Sequence, residues 1–122
     1  MASLETKSFD RPDETRAMAD HGRLDIIRLQ GVTLSRGTLA PGWRWSEHVR
    51  PVAGTESCRT LHQGVIVSGR LHVAMDDGAS GDAGPDDAYV IQPGHDAWVV
   101  GDEQDVFVDM SPAMESYARA GS

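Results

Sequence analysis

The sequence contains a single cysteine, Cys58, and few aromatic residues, which make up 6% of its 122 positions. One cysteine excludes a disulfide within the chain, so nothing points to an oxidising compartment. The polar N-terminal residues lack the apolar core of a secretion signal, and no apolar run is long enough to cross a bilayer. We therefore expect a cytoplasmic protein without a membrane partner.

Basic side chains are scarce as well. The sequence has 11 Lys and Arg against 19 Asp and Glu, which gives a formal net charge of −8. Proteins that bind nucleic acids present clustered Lys and Arg to the phosphates, and this sequence has no such cluster. Nucleic acids and anionic membrane surfaces are therefore not expected as partners, and the acidic excess is expected to act as a solubilising shell.

What the sequence does contain is a series of short apolar segments separated by Gly, Pro and Asp. Residues 62–67 and 71–75 are strong strand candidates, and residues 76–78, Asp-Asp-Gly, tolerate the positive φ angles of a tight hairpin turn. About eight such segments follow one another closely, a rhythm that predicts an all-β sandwich or barrel.

The length of the chain permits one domain. Residues 1–22 are polar and are predicted to form an N-terminal arm, and residues 23–122 are predicted to form the single domain. Residues 42–49, which include Trp43 and Trp45, are predicted to be extended.

From Gly42 onward, the order of residues resembles the two sequence motifs of the cupins. The first motif is a Gly, five residues, a His-x-His pair, a Glu and a final Gly. Here Gly42 and His48 match its opening, and Arg50 replaces the second His. His62 stands seven residues before Gly69, where the motif has its Glu. The framework of the first motif is thus kept while most of its metal ligands are not.

The second cupin motif is usually a Gly, five residues, Pro-x-Gly, two residues, a His, three residues and an Asn. Gly94 matches its middle Gly, and Ala97 falls where the His belongs. The other motif positions are held by Asp86, Gln92 and Gly101. The resemblance, which covers about residues 32–110, implies a double-stranded β-helix, the cupin jelly-roll barrel. Because similar domains often pair through their N-terminal strands, and an open sheet edge invites pairing, we also expect a homodimer.

Typical cupins bind a divalent metal through three His and one Glu. At these four ligand positions, this sequence has the expected residue only at His48. Strand alternation combined with the cupin pattern turns a set of side chains toward the interior. Three neutral imidazoles among them suit zinc, iron, nickel or copper as a cofactor. The inward set is predicted to be His48, Arg50, Cys58, His62, His95 and Ala97.

Arg50 favours a pocket without a metal, because a guanidinium stays protonated and repels a nearby cation. In such a pocket, Arg50 holds an anionic or carbonyl-bearing small molecule, and His48 or His62 acts as the general base. An ion pair of Arg50 with Glu47 or Glu56 at the rim is the structural alternative.

Trp43, Trp45 and Trp98 are candidates for the wall of the ligand pocket, although packing between sheets explains each of them equally well. Cys58 is a soft metal ligand, a nucleophile or a small buried side chain.

Three functions stay open at this stage, and whether the protein is an enzyme stays open with them. The first is a metal-independent lyase, isomerase or cyclase with His48, His62 and Arg50 as catalytic residues. The second is a metal-dependent cupin enzyme, such as a dioxygenase, with His48, His62 and His95 as ligands. The third is a ligand sensor without catalysis.

Overall fold

The computed structural model describes residues 3–119, so residues 1–2 of the predicted arm and 120–122 of the predicted domain lie outside it. The structure is mostly β, which confirms the predicted fold class, and the described part has nine strands where the sequence pattern predicts about eight. The strands are β1 (Glu14–Ala17), β2 (Gly22–Leu29), β3 (Val32–Leu39), β4 (His62–Ser68), β5 (Leu71–Met75), β6 (Ser80–Ala83), β7 (Ala88–Ile91), β8 (His95–Val99) and β9 (Asp105–Asp109).

The strands form two antiparallel sheets. One sheet has six strands in the order β1-β2-β3-β9-β4-β7, and the other has three strands in the order β6-β5-β8. Ile66 and Phe107 of the larger sheet share one hydrophobic core with Leu71 and Val99 of the smaller sheet. The molecule is therefore a β-sandwich whose inner faces enclose the core.

Strand β9 shows how the alternation of side chains builds this interior. Asp105, Phe107 and Asp109 are buried, while the two valines between them are only partly buried. Phe107 needs space from the neighbouring strand β3, where a Cβ on Gly37 would lie 2.0 Å from the phenylalanine ring. A side chain at position 37 is thus excluded by the packing of Phe107.

Residues 42–49 are not extended as predicted. They lead into two single-turn helices, α1 (Trp45–His48) and α2 (Arg50–Ala53). The buried residues Trp45, Val49 and Ala53 follow one another at intervals of four, which is the period of a helix face and not of a strand. The described residues contain no helix with the length and hydrophobicity needed to span a membrane.

The two ends of the chain are held together at one side of the sandwich. Strand β1, which lies inside the predicted arm, pairs with β2 along its whole length. Residues 111–119, here called the C-terminal segment, contain a 3₁₀ helix (Pro112–Glu115) that packs against this side. Arg16 of β1 is buried and donates hydrogen bonds to the carbonyl oxygens of Met114 and Tyr117, at 3.1 and 2.7 Å.

Asp105 is a buried carboxyl group in an apolar setting. Its side chain has no exposed surface, and neither carboxylate oxygen has a hydrogen-bond partner among the described residues. Burial raises the pKa of Asp105 to about 7, because the charged form loses its hydration without compensation.

We predict that Asp105→Asn stabilises the protein at about pH 8, by roughly 2–4 kcal/mol. The pKa of Asp105 is raised in the folded state, so the wild type loses stability as the pH rises from about 4 to about 7. Chemical denaturation at about pH 4 and pH 8 measures this, and the advantage of the variant should shrink at the lower pH. Asp102→Asn in an exposed turn is the control. Equal stabilities of wild type and Asp105→Asn at pH 8 would contradict the prediction.

Candidate functional site

Three buried side chains with metal-binding atoms meet inside the sandwich: Cys58, His62 and His95. One ligand atom from each residue lies within 4.8 Å of those of the other two. Cys58 Sγ is 3.6 Å from His62 Nε2, and the two imidazole ring centres are 5.1 Å apart. This group, here called the interior cluster, consists entirely of uncharged donors in a water-poor environment.

A short backbone pairing brings Cys58 to this position. Cys58 N–H donates to the carbonyl of His95 at 2.7 Å, and Gly94 N–H donates to the carbonyl of Cys58 at 2.7 Å. This antiparallel bridge lies outside the regular strands. His62 is the first residue of β4 and pairs with Ile91 of β7. The cluster therefore joins both sheets through the loop that precedes β4.

Hydrogen bonds orient the two imidazoles of the interior cluster. His95 Nδ1 lies 2.7 Å from the carbonyl oxygen of Gln92, so Nδ1 carries the proton and Nε2 keeps its lone pair. His62 directs Nε2 toward the sulfur of Cys58, and its Nδ1 lies 3.8 Å from a carboxylate oxygen of Asp109. Backbone carbonyls and carboxylates on the far nitrogen are the usual supports of metal-binding histidines.

Burial sets the protonation of the cluster. It lowers the pKa of His62 to about 3, with a smaller contribution from repulsion by His95, and it also lowers the pKa of His95. Burial raises the pKa of Cys58 to about 11. Both imidazoles are therefore neutral near pH 7, as metal ligands must be, and the Cys58 thiol is a poor nucleophile until its proton is removed.

The donor set and its spacing fit a transition metal. Two ligands of a tetrahedral zinc site, one sulfur at about 2.3 Å and one nitrogen at about 2.0–2.1 Å, lie about 3.6 Å from each other. The sulfur of Cys58 and Nε2 of His62 have that separation. One thiolate and two imidazoles suit zinc or copper better than magnesium or calcium, which prefer oxygen ligands.

A small cavity of about 30 Å³ adjoins the cluster, and His62 and His95 form part of its wall. This volume holds one or two water molecules. Most of the remaining wall is apolar, and its aromatic members are Trp43, Trp45, Tyr89, Phe107 and Tyr117. The indole N–H groups of both tryptophans are buried without an acceptor among the described residues.

His48 and Arg50 do not line this cavity, contrary to the sequence-based expectation. His48 lies on α1, and its ring stacks on that of His21 with the centres 4.1 Å apart. Arg50 lies on α2 with its side chain 46% exposed, and it pairs with Glu56 at 3.4 Å. Both are displaced because their segment is helical, so strand alternation does not apply to it. Of the three residues predicted to be catalytic, the structure places only His62 at the cavity.

The predicted metal ligands separate in the same way. His62 and His95 come together, His48 does not join them, and Cys58 completes the group in its place. His48 instead forms a second group with Asp20 and His21 near the surface. The two rings of that group are stacked, with 26° between their planes, so their lone pairs run side by side and do not converge on one point.

The other predicted pocket residues are divided between inside and outside. Trp43, Trp45 and Ala97 line the cavity. Trp98 lies on the outer face of β8, where the guanidinium of Arg44 sits 4.1 Å from its ring centre. Trp98 is therefore a surface residue engaged in a cation–π contact and not part of the pocket wall.

A separate open cleft of about 470 Å³ lies between β6 and β7, which are edge strands of the smaller and the larger sheet. Tyr89 and Ile91 separate it from the small cavity, since both residues line both spaces. Asp82 and Asp87 are the charged residues of its lining, and no Lys or Arg of the described chain contributes to it. This lining does not suit the anionic ligand expected from the sequence.

The Cys58-x3-His62 spacing is the signal that a closer study of the sequence offers for this cluster. Both residues have the same strand parity, and both are predicted to lie in the pocket. The predicted ligand set, however, joins His62 and His95 with His48 and not with Cys58. Parity alone could not reveal its partner, because the bridge to His95 joins a loop to a distant strand.

Comparison of folds identifies similar solved structures, all with low sequence identity. AerE from Microcystis aeruginosa has a TM-score of 0.59 and 15% identity over 79% of this chain, which spans only 43% of AerE. An RmlC-like cupin from Shewanella frigidimarina has a TM-score of 0.58 and 13% identity, covering 88% of this chain and 91% of that one. KdgF from Halomonas sp. has a TM-score of 0.54 and 15% identity, covering 79% and 82%. No protein-family model and no curated protein matches the sequence significantly.

We predict that the imidazole of His62 stays neutral from about pH 8 down to about pH 5, and that His95 is protonated only below the ordinary range of a histidine, because burial lowers both pKa values. Nitrogen-15 NMR of the imidazole rings measures their protonation, and His62→Gln and His95→Gln assign the signals. The unfolded chain takes up protons below about pH 6.5 and the folded cluster does not, so this burial also lowers stability as the pH falls below that value. A His62 ring that titrates near 6.5 would show that the cluster is hydrated.

Proposed function

We propose that this chain, which has the double-stranded β-helix fold of the cupins as its sequence predicts, binds a transition metal ion at the interior cluster and acts on a small molecule there. In this proposal, the interior cluster takes the place of the metal ligands of the usual cupin motifs, most of which this sequence lacks. The homodimer and the cytoplasmic location stay predictions.

The observation that carries this proposal is the convergence of Cys58, His62 and His95. Three soft or borderline donors are buried together at the spacing of metal ligands, and the histidines are neutral. Burial of polar side chains is costly unless a partner compensates for the lost hydration. A bound cation that takes up the Cys58 thiolate supplies that compensation.

The metal-independent alternative has less support. A general base works best with a pKa near the working pH, and burial lowers the pKa of His62 to about 3. Arg50, the expected anion clamp, extends to the surface and pairs with Glu56. Arg50 therefore does not line the cavity that His62 lines, and the two residues do not face one ligand there.

The chemistry of the site divides between the ion and the chain. When bound, a zinc-like or copper-like ion supplies Lewis-acid polarisation of an oxygen-bearing ligand. The chain provides the three ligands, and the Gln92 carbonyl orients His95. The aromatic walls of the cavity exclude bulk water, which strengthens electrostatic interactions with the ligand.

We predict that the protein, purified without a metal-affinity tag, binds one zinc or cobalt(II) ion per chain. Elemental analysis gives the stoichiometry, and cobalt titration should show a thiolate-to-cobalt charge-transfer band in the near ultraviolet. Cys58→Ser should abolish that band, and His62→Gln and His95→Gln should each weaken binding by roughly 100-fold or more, because each removes a ligand.

His48→Gln is the matched control, since His48 lies outside the interior cluster and the substitution should leave cobalt affinity unchanged. Full retention of binding in Cys58→Ser together with loss in His48→Gln would assign the metal to the surface group and contradict the proposal.

A further inference from the structure

The interior cavity is too small for an organic ligand. Its volume of about 30 Å³ compares with roughly 300–1,000 Å³ for typical ligand pockets. We propose that the C-terminal segment is a gate over the interior cluster, that Arg16 holds this gate shut, and that uncharged molecules enter when it opens. The inference rests on the proposed function for the role of the cluster.

Tyr117 is the part of the gate that touches the site. Its side chain is buried and lines the cavity. The Tyr117 ring meets the His62 ring edge to face, with the ring centres 5.1 Å apart. Met114, one turn earlier, is fully buried in the core. Outward movement of this segment would therefore uncover His62 and enlarge the cavity by the volume of a phenol ring.

Arg16 is the buried polar link between the gate and the body of the protein. Its guanidinium donates to the carbonyl oxygens of Met114 and Tyr117 and is held in place by Glu14 at 2.6 Å. A second link holds Glu115, which accepts two hydrogen bonds from Arg28 and one from the Thr33 hydroxyl. The side chains of Arg28 and Glu115 are 39% and 41% exposed, whereas Arg16 is buried and holds the carbonyl of Tyr117, the residue that lines the cavity.

The gate is easier to open than the other walls of the cavity. The C-terminal segment is a single 3₁₀ turn followed by bends, and it belongs to neither sheet. On the opposite side, Tyr89 and Ile91 belong to β7, which is paired with β4 at four consecutive positions. Local opening proceeds most easily where few backbone hydrogen bonds must break. The terminal segment is that place.

The lining of the cavity decides what can stay inside. Among the described residues, no Lys, Arg, Asp or Glu side chain lines it. A charged molecule would lose its hydration there without gaining an ionic partner. The substrate class that fits is an uncharged, largely apolar molecule, in contrast to the anion expected from the sequence.

Cys58 reports on the gate because it is the only cysteine of the sequence, its side chain is buried, and its sulfur lies 3.6 Å from Nε2 of His62, the residue that Tyr117 covers. The metal-free protein is treated with the uncharged reagent benzyl methanethiosulfonate at about pH 8. The Cys58 thiolate attacks the sulfenyl sulfur, a mixed disulfide forms and methanesulfinate leaves, so each labelled chain gains one benzylthio group. Mass spectrometry measures the rate, and the anionic reagent 2-sulfonatoethyl methanethiosulfonate tests the effect of charge.

We expect Arg16→Met and Tyr117→Ala to speed labelling by the uncharged reagent about ten-fold or more, because each favours the open state. Arg16→Lys, which keeps a donor near the two carbonyls, should fall between them and the wild type. The matched control is Arg23→Met on β2, whose side chain pairs with Asp25 and does not contact the gate. The faster labelling should be seen without urea. Low concentrations of urea should change the labelling rates little, since local opening exposes little surface.

Three outcomes would overturn the proposal. Arg16→Met and Tyr117→Ala labelled at the wild-type rate would show that the segment does not control access. Faster labelling of Tyr89→Ala alone would place the entrance at the open cleft. Labelling by the anionic reagent as fast as by the uncharged one, relative to a free thiol, would refute the selectivity for uncharged molecules. Metal is absent from all of these measurements, so failure of the metal site leaves them unaffected, and their failure leaves cobalt binding intact.

Discussion

Cys58 and His95 hold each other through backbone hydrogen bonds between the loop before β4 and the first residue of β8, and the interior cluster depends on this contact. The bridge turns the loop before β4 inward and sets the sulfur beside the imidazole that opens that strand. The same contact brings Gly94, at a φ of 99°, into the turn that leads to β8. Without this pairing, the two histidines would face each other across the cavity with no third donor.

The interior of the sandwich is unusually polar for its size. Asp105, Asp109, His62 and His95 all face inward, and only Asp109 is well supplied with donors, from the backbone N–H groups of Gln63 and Ser111 and the hydroxyl of Tyr89. Burial shifts the pKa of all four groups, including Asp109, whose pKa rises to about 6, so each lowers the stability of the metal-free fold in some range of pH. Such groups concentrate where a protein exchanges stability for function, which agrees with the assignment of the site to this region.

The fold was predictable because Gly, Pro and Asp mark the turns in the sequence. Segments such as β4 and β5 alternate with Gly and Asp in a manner that admits few architectures, and the cupin motifs keep Gly42, Gly69 and Gly94 even where their ligands are lost. The candidate site was predictable only in part. His62 and His95 lie inside, on the faces that strand alternation indicates, but His48 and Arg50 do not, because the apolar positions 45, 49 and 53 follow a helical period that is too short to stand out from extended sequence. Trp43 and Trp45 line the cavity although their segment is not the predicted strand.

The position of β9 has a consequence for how the protein is made. This strand lies between β3 and β4 in the larger sheet, although about 65 residues of sequence separate it from β3. Until β9 has been synthesised, the sheet consists of two unconnected halves, and the surfaces that later enclose Cys58 face water. A nascent chain at this stage exposes its thiol and two sheet edges together, so it is most open to wrong strand pairing in the interval before the last strand inserts.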